Sequence, residues 1–169
     1  MLPTNLTNLL QSQLTLERTN EAYYRALSAA ADVVNRPGAR AYFENAASEE
    51  AGHARLVSAY LVDRNERPNF AALEPIPDIN GNDYAGMFRL ALDREQLTTA
   101  ALSALWLMAD DDAPDPQTVS FLINPVTDVS FPGFMAEQTA SERELVDHLT
   151  KIGRLSEDGL EVFDSGLME

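Results

Sequence analysis

Polar side chains that can bind metals occupy positions in the predicted helices where apolar residues would be expected. Glu17 falls on one helical face with Leu10 and Tyr24, because each stands seven residues away and this spacing drifts by only about 20°. That face is otherwise apolar, so it is the face that packs into the core. An acidic side chain is therefore predicted to point into the interior of the protein.

Glu50 and His53 form an acid and imidazole pair on the second predicted helix. They stand three positions apart and share one face with Phe43 and Val57. A Glu-x-x-His pair is common by chance on exposed helix surfaces, so the pair alone is weak evidence for a binding site. Its position on the apolar face favours a buried pair that binds a ligand.

The third and fourth predicted helices repeat the pattern. Glu95 lies in the apolar line of Leu92 and Leu102, and Gln138 lies in line with Leu145. A single acid could also flank a solvated face, because an error of one residue in helix phase turns a side chain by about 100°. The occurrence of such a residue on each of four helices favours one shared interior site.

A metal ion is the simplest explanation for several acids in one core. Burying a carboxylate costs several kcal/mol unless it is protonated, paired or bound to a metal. Four arginines lie near these positions and are expected to point sideways or outward: Arg18, Arg25, Arg55 and Arg94. The chain has no cysteine, so oxygen and imidazole must hold any metal. Such ligands suit iron or manganese, and helices that each give a Glu or a Glu-x-x-His form the carboxylate-bridged two-metal site of helical bundles.

Five helices are predicted to position these residues, because long stretches without proline alternate with breaks that contain Pro and Gly. The predicted ranges are about 5–35, 39–64, 83–110, 134–154 and 158–167. The short first break makes the first two helices antiparallel, whereas residues 65–82 are long enough to cross a whole helix. No helix is predicted between 117 and 132. The sequence thus predicts an all-α single domain over residues 1–169: a four-helix bundle with a long crossover between the second and third helices, plus a short C-terminal fifth helix.

Composition excludes several classes of function. The chain has 27 acidic and 12 basic residues, a net charge of -15, which disfavours binding to a nucleic-acid backbone. No apolar run approaches the ~20 residues of a membrane-spanning helix, and the first residues show no basic segment or cleavage site for export. We therefore expect a cytoplasmic protein without a nucleic-acid or membrane partner.

The chain resembles the ferritins over nearly its whole length, and among them the non-haem prokaryotic and H-chain types. The resemblance is carried by the segments LTLERTNEAYY, ENAASEEAGHARL, ALDREQLT, FMAEQTASERELVDHL and EDGLEVFDSGL, in this order. It implies the ferritin-like fold of the diiron superfamily. The methionine that binds haem in bacterioferritins corresponds to Ala51, so the resemblance implies that no haem is bound.

The resemblance also implies roles for the residues identified above. Glu17, Glu50 and His53 would hold one iron, and Glu50 would bridge to a second iron that is also held by Glu95. Gln138, counted among the metal-site residues, would form a hydrogen bond or orient groups at this centre. The fourth helix lacks the second Glu-x-x-His of permanent diiron enzymes, so iron is expected to pass through this site rather than stay as a fixed cofactor.

Other residues would act beside this centre. Tyr24 corresponds to the tyrosine next to the metals, and would be a catalytic residue that gives an additional electron to a reduced oxygen species. Glu49 and Glu137 correspond to ligands of a third iron in some prokaryotic ferritins, whose remaining carboxylate position is Ala140 here. Glu142 would reach the centre if the fourth helix were rotated.

The function implied by the resemblance is iron storage and detoxification. The resemblance also implies a ferroxidase, that is, an Fe(II):oxygen oxidoreductase. It would oxidise two Fe(II) ions per subunit with O2 or H2O2 and store the ferric mineral in a homo-oligomeric shell of 24 subunits. Two alternatives stay open: a catalytically silent ferritin-like structural subunit, and a small diiron enzyme that reduces peroxide as a dimer. The negative charge disfavours a DNA-protecting mini-ferritin. The segment 110–134 is longer than the corresponding turn of the family, which leaves the iron channels and the assembly open.

Overall fold

Four long helices form the body of the protein, and two short helices are added to it. The computed structural model describes residues 2–79, 83–124 and 132–168. Within these residues the helices are α1 (Thr4–Val33), α2 (Pro37–Asp63), α3 (Tyr84–Leu107), α4 (Pro116–Ile123), α5 (Phe134–Ile152) and α6 (Glu157–Gly166), with a π-helical turn at Met108–Asp112. The described residues contain no strand, so the all-α prediction is confirmed.

The four long helices pack as a bundle. α1 packs along α2, α3 packs along α5, and α1 also contacts α3. Asn35, whose φ of 55° lies in the left-handed region, follows the end of α1, and Pro37 occupies the start of α2. This short turn makes α1 and α2 antiparallel, as predicted. The connection from α2 to α3 is the long one expected, and it has no regular structure in its described part, residues 64–79.

The core consists of two apolar clusters with a layer of buried polar residues between them. One cluster gathers around Phe43 and Phe88, and the other around Leu10 and Leu102. The buried polar residues at or next to this level of the helices are Gln13, Glu17, Thr19, Asn20, Glu50, Arg94, Glu95, Thr98 and Gln138. The apolar clusters fix the helices on both sides of this layer and thereby position its side chains.

The helix α4 lies in a region where the sequence pattern predicts none. Pro116 occupies its first turn, and the Asp115 side chain accepts a hydrogen bond from the backbone N–H of Thr118 at 3.3 Å. Arg64 at the end of α2 donates two hydrogen bonds to the Asp115 carboxylate, at 2.7 and 3.0 Å. The helix that the sequence pattern does not predict is therefore short, is capped by Asp115 and is held against α2 by the ion pair between Arg64 and Asp115.

The other helix boundaries lie close to the predicted ones. α3 ends at Leu107, and the π-helical turn continues it to Asp112, whereas one helix to about residue 110 is predicted. α5 begins at Phe134, as expected. Residues 125–131 of the predicted break before α5 lie outside the described residues. Among the described helices, we find none with the length and apolar character needed to cross a membrane.

The C-terminal helix α6 is tied to the start of α2. The Asp164 carboxylate accepts hydrogen bonds from the backbone N–H groups of Gly38 at 2.9 Å and Ala39 at 2.8 Å. The Tyr84 hydroxyl donates a third, at 3.0 Å. A Cβ atom at Gly38 would lie 1.6 Å from the backbone oxygen of Asp164, so glycine is required for this close approach. An acidic side chain of α6 thus caps α2, where a negative charge is favourable.

Candidate metal centre

Three potential metal ligands converge in the polar layer. Glu17, Glu50 and His53 each offer one ligand atom, and these atoms lie within 4.8 Å of one another. Nδ1 of His53 lies 3.3 Å from Oε2 of Glu50 and 3.9 Å from Oε2 of Glu17. α1 supplies Glu17, and α2 supplies the other two from adjacent turns. Both carboxylates are buried, since Glu17 is 0% exposed and Glu50 is 5% exposed.

Glu95 faces the same group from α3 and is held by two neutral donors. The Tyr24 hydroxyl donates a hydrogen bond to Oε1 of Glu95. Nε2 of Gln138 donates to Oε2 of Glu95 at 2.6 Å and to its backbone oxygen at 3.0 Å. Glu95 therefore links α3 to α1 and α5, and neither donor neutralises its negative charge.

One cavity of about 190 Å³ connects these residues. Its walls include Tyr24, Glu50, His53, Glu95 and Gln138. Its other lining residues are Tyr42, Asn45, Ala46, Glu49, Ser141, Glu144 and Leu145. Together with Glu17, which lies within 4.8 Å of the ligand atoms of Glu50 and His53, the structure brings the residues predicted for the two-metal site to one place.

The environment of the site disfavours negative charge on its carboxylates. Burial, followed by the charge of Glu50, raises the pKa of Glu17 well above its usual value. The same two causes raise the pKa of Glu95 to about 7, although hydrogen bonds from Tyr24 and Gln138 act in the opposite direction. Within the described part of the chain, no arginine or lysine forms an ion pair with Glu17, Glu50 or Glu95.

His53 is the basic group of this site. Burial lowers its pKa, but hydrogen bonds to Glu137 and Glu50 and the charges of Glu17 and Glu50 raise the pKa overall, to about 11. A protonated imidazole therefore balances part of the acidic charge in the protein without metal. Because a metal ion binds the neutral imidazole, metal binding must release this proton.

The residues present fit a cation such as Fe(II). Oε2 of Glu17 is buried and accepts no hydrogen bond from the described residues, which is costly unless this atom is protonated or binds a cation. The ligands are carboxylate oxygens and one imidazole nitrogen, a set that suits iron or manganese. Glu17, Glu50 and His53 form a candidate site for one cation.

Three neutral polar residues around the ligands escaped the sequence analysis. Nε2 of Gln13 donates a hydrogen bond to Oε1 of Glu17 at 2.7 Å. Nδ2 of Asn20 lies 3.5 Å from Oε1 of Glu50 and donates to Oγ1 of Thr98 at 2.8 Å. Gln13 precedes Glu17 by four residues and Asn20 follows it by three, so both lie on the same face of α1 as Glu17. This spacing could have identified them from the sequence.

The expectation that Arg94 points sideways or outward is wrong. The residue is only 8% exposed, and its guanidinium donates to Oδ1 of Asn20 at 2.6 and 3.2 Å. A carboxylate oxygen of Glu74 lies 3.7 Å from it, and its central carbon lies 5.3 Å from the centre of the Tyr23 ring. Helix phase could not reveal this, because a long side chain at the edge of an apolar face can reach water or fold inward.

Of the three additional acids considered in the sequence analysis, Glu49 and Glu137 lie beside the site and Glu142 does not. A carboxylate oxygen of Glu137 lies 3.1 Å from Nε2 of His53, and Glu49 is exposed and lines the cavity. Both therefore lie beside the site, where the resemblance placed a third iron. Glu142 does not reach it, because its carboxylate accepts a hydrogen bond from Thr99 and lines a separate surface depression.

Comparison with known protein families agrees with this geometry. The family model of the ferritin-like domain of ferritins matches residues 7–155. The chain belongs to the ferritin family. The family predicted from the sequence segments is thereby confirmed.

Individual ferritins from bacteria and animals are similar in sequence. Ferritin BfrB of Mycolicibacterium smegmatis is 30% identical over 111 residues, which cover 66% of this chain and 61% of that protein. The bacterial non-heme ferritin of Staphylococcus haemolyticus is 27% identical over 158 residues, 94% of this chain and 89% of that protein. The ferritin heavy chain of Trichoplusia ni is 28% identical over 95% of this chain and 78% of its own. The match thus spans 61% of the mycobacterial ferritin's length and more of the other two.

The fold is similar to that of a solved ferritin. The open pore ferritin of the hyperthermophilic archaeon Archaeoglobus fulgidus superposes with a TM-score of 0.87, over 99% of this chain and 98% of that chain. The two sequences are 21% identical, so this likeness concerns the fold. It confirms the ferritin-like four-helix bundle.

Proposed function

We propose that this ferritin-family chain is a ferroxidase that oxidises Fe(II) to Fe(III) at a two-metal site within one subunit. The observation that carries the proposal is the convergence of Glu17, Glu50, His53 and Glu95 on one cavity, with no arginine or lysine among the described residues to neutralise the acids. Such a set is costly without cations and is suited to bind them.

Each ligand has a distinct part in this proposal. Glu17, Glu50 and His53 would bind one Fe(II), and Glu50 would share the second Fe(II) with Glu95. Gln138 and Tyr24 would hold the Glu95 carboxylate in place through the hydrogen bonds described above. Carboxylate ligands stabilise Fe(III) relative to Fe(II), because the charge of the product ion is higher.

The electron balance of the reaction requires an oxidant that accepts two electrons from two Fe(II) ions. O2 would take them with two protons to give H2O2, and H2O2 would take them with two protons to give two water molecules. Two metals held by one bridging carboxylate can meet one oxidant together. Reduction of O2 to two water molecules takes four electrons and four protons: the two Fe(II) ions would supply two electrons, Tyr24 an additional one together with its hydroxyl proton, and a further Fe(II) ion the fourth.

We further propose that the oxidised iron leaves the site for storage. Members of the ferritin family are iron-storage proteins, and α5 places Gln138 and Ser141 at the cavity rather than a second Glu-x-x-His. Because α5 adds no imidazole and its acids Glu137 and Glu144 lie beside the proposed ligands, iron would be held less tightly than in a site with that second motif. The storage compartment would be a homo-oligomeric shell of 24 subunits. The cytoplasmic location stays a prediction.

A second candidate is a ferritin-like subunit without catalysis. It is favoured by Ser141, which lines the cavity on the α5 side and offers a hydroxyl rather than a carboxylate there. Anaerobic titration with Fe(II) separates the two functions. Two Fe(II) bound per subunit, followed by a fast rise in absorbance when O2 is added, supports the ferroxidase; binding without this rise supports the silent subunit. Size-exclusion chromatography tests the shell, since a small peroxide-reducing diiron enzyme would elute as a dimer.

A further inference from the structure

A second network of buried polar residues touches the proposed iron site. It consists of Asn20 on α1, and of Arg94 and Thr98 on α3. Asn20 is 0% exposed, Arg94 8% and Thr98 2%, so none of them is a surface group that could exchange its partners with water. The proposed oxidation uses none of the three directly.

Hydrogen-bond chemistry fixes the orientation of the Asn20 amide. The guanidinium of Arg94 carries donors only, and its Nε and Nη2 lie 3.2 and 2.6 Å from one atom of the amide, which must therefore be Oδ1. Nδ2 of Asn20 then faces the other way and donates to Oγ1 of Thr98 at 2.8 Å. The Thr98 hydroxyl can accept this bond, because it donates its own hydrogen to the backbone oxygen of Arg94 at 3.2 Å.

The same amide group meets the proposed bridging ligand. Nδ2 of Asn20 lies 3.5 Å from Oε1 of Glu50, while Oε2 of Glu50 lies 3.3 Å from Nδ1 of His53. Each oxygen of the carboxylate thus has a different neighbour, which defines the rotation of the group. Hydrogen bonds at active sites are often long before the ligand binds and shorten in the complex.

Contacts with two other residues hold the guanidinium of Arg94, which stands at the end of the series of hydrogen bonds from Arg94 through Asn20 to Glu50. Glu74 of the connection between α2 and α3 lies 3.7 Å from its guanidinium, and the ring of Tyr23 packs 5.3 Å from it. Without the guanidinium, only the bond to Thr98 would favour this orientation of the Asn20 amide, and a hydroxyl can donate to the oxygen of a turned amide as well as accept from its nitrogen. The oxygen of the turned amide would then face the Glu50 carboxylate, and two acceptors in contact repel each other.

We propose that Asn20 is a positioning residue for Glu50, and that Arg94 acts through Asn20 by fixing the direction of its amide. This inference rests on the proposed function, because it concerns the carboxylate that would bridge the two irons. A ligand that is already oriented does not have to be ordered when metal binds, so the network should raise metal affinity and define the metal geometry.

Co²⁺ binding under anaerobic conditions tests the proposal without oxidation chemistry. The full-length protein and the variants N20L and R94M are titrated with Co²⁺, and visible absorption reports both affinity and geometry. We expect each variant to bind Co²⁺ about fivefold more weakly, with shifted bands, since about 1 kcal/mol of charge-assisted hydrogen bonding is lost. R94K keeps a charged donor for Oδ1 and should stay within about twofold of the wild type.

A double variant separates action through Asn20 from a direct effect of charge. If Arg94 acts only through Asn20, N20L/R94M should bind Co²⁺ no more weakly than N20L alone. Thr118→Val is the matched control for lost buried hydrogen bonding, because Thr118 is 0% exposed and bonds Tyr60 and Asp115 away from the site. It should lower the unfolding temperature and leave Co²⁺ binding unchanged.

The outcomes distinguish this inference from the proposed function. Wild-type affinity and bands in N20L, additive losses in N20L/R94M, or equal losses in R94K and R94M would each overturn it. Should N20L fail to fold, the comparison of R94M with R94K decides alone. A wild type that binds Co²⁺ but does not oxidise Fe(II) contradicts the ferroxidase and leaves the positioning role standing, whereas a wild type that binds no Co²⁺ overturns the positioning role.

Discussion

The hydroxyl group of Tyr24 donates a hydrogen bond to Oε1 of Glu95, across the interface between α1 and α3. Gln138 of α5 donates to the other oxygen of the same carboxylate, at 2.6 Å. Both hydrogen bonds lower the pKa of Glu95, and burial with the nearby charge of Glu50 raises it more strongly, to about 7. The affinity of this carboxylate for a cation at neutral pH therefore depends on its two neutral donors.

Tyr24→Phe should slow the oxidation of Fe(II). Loss of the hydroxyl removes one group that lowers the pKa of Glu95, so more of this carboxyl is protonated at pH 7 and fewer sites bind the second iron. We expect an initial rate about fivefold lower at pH 7, from about 1 kcal/mol of lost hydrogen bonding, and partial recovery at pH 8. Stopped-flow absorbance after mixing with Fe(II) and O2 measures both the rate and any transient species.

Tyr60→Phe is the control for this change, because Tyr60 bonds Thr118 and stacks on Phe121 in the other apolar cluster. It should oxidise Fe(II) at the wild-type rate. Unchanged kinetics and unchanged transient spectra in Tyr24→Phe would remove both the electronic and the positioning role of the tyrosine.

Glu50→Ala should abolish rapid oxidation while the protein still folds and assembles. The change removes the ligand that would bridge both irons, and it also relieves the repulsion that contributes to the raised pKa of Glu17. We expect the initial rate to fall at least 100-fold, since one shared ligand serves both metals. The rate is measured by absorbance, and assembly by size-exclusion chromatography.

Glu44→Ala provides a matched change on the same helix, at an exposed residue that pairs with Arg25. Its oxidation rate should equal that of the wild type. A wild-type initial rate in Glu50→Ala would contradict the assignment of the site.

The sequence was sufficient to predict the long helices of the bundle and the acids that meet in its polar layer. Glu17, Glu50 and Glu95 interrupt apolar faces at seven-residue or helical spacing, and this periodicity survives in the folded structure because those faces form the core. The distance between residues on different helices has no such periodic signal. The identity of Glu95 as the hydrogen-bond partner of Gln138 is therefore seen only in the structure.

The parts that escaped prediction depend on tertiary contacts. α4 has a recognisable start in Asp115 and Pro116, but its eight residues are too few to be stable alone and rely on the ion pair with Arg64. Arg94 occupies an edge position from which its side chain can turn either way, and the presence of Asn20 as an acceptor decides that it turns inward. Neither the formation of α4 nor the inward direction of the Arg94 side chain follows from the spacing of residues along the sequence.

The stability of the metal-free protein should fall as the pH rises. The pKa of Glu95 is about 7 in the folded protein against an ordinary value of 4.5, so the folded state binds more protons than the unfolded state between these limits. Unfolding releases those protons, and the free energy of unfolding therefore decreases through this window, by on the order of 3 kcal/mol. His53, raised to about 11 from 6.5, adds a decrease of the same sign above pH 6.5.

Thermal unfolding of metal-free protein between pH 5 and pH 8 measures this dependence. Glu95→Gln should remove the part of the decrease that this carboxyl contributes, whereas Glu17 and His53, whose pKa values are also raised, should keep the rest. Anaerobic addition of Fe(II) should raise the unfolding temperature most at the higher pH, where the carboxylates are charged. A metal-free protein whose stability increases from pH 5 to pH 8 would contradict the buried, unpaired state of these acids.

Asp164→Ala should destabilise the protein and release α6 from the bundle. The carboxylate accepts hydrogen bonds from the N–H groups of Gly38 and Ala39 and from the hydroxyl of Tyr84, and alanine leaves all three donors buried without it. We expect a loss of about 2–3 kcal/mol in the free energy of unfolding, the sum expected for a lost helix cap and a lost charged acceptor. Asp164→Asn keeps one acceptor oxygen and should lose less.

Denaturant unfolding measures the loss, and hydrogen exchange at the first turn of α2 shows where it occurs. Glu161→Ala is the matched control, because Glu161 lies on the exposed side of α6 and its side chain has no partner in the described residues. The hydrogen bonds of Asp164 lie at the end of the bundle, far along α2 from Glu50. The initial rate of Fe(II) oxidation in Asp164→Ala should therefore stay within about twofold of the wild type, as expected for sites without shared partners. Equal stability of Asp164→Ala and Glu161→Ala would show that α6 is held by its apolar contacts alone, through Leu160 and Phe163.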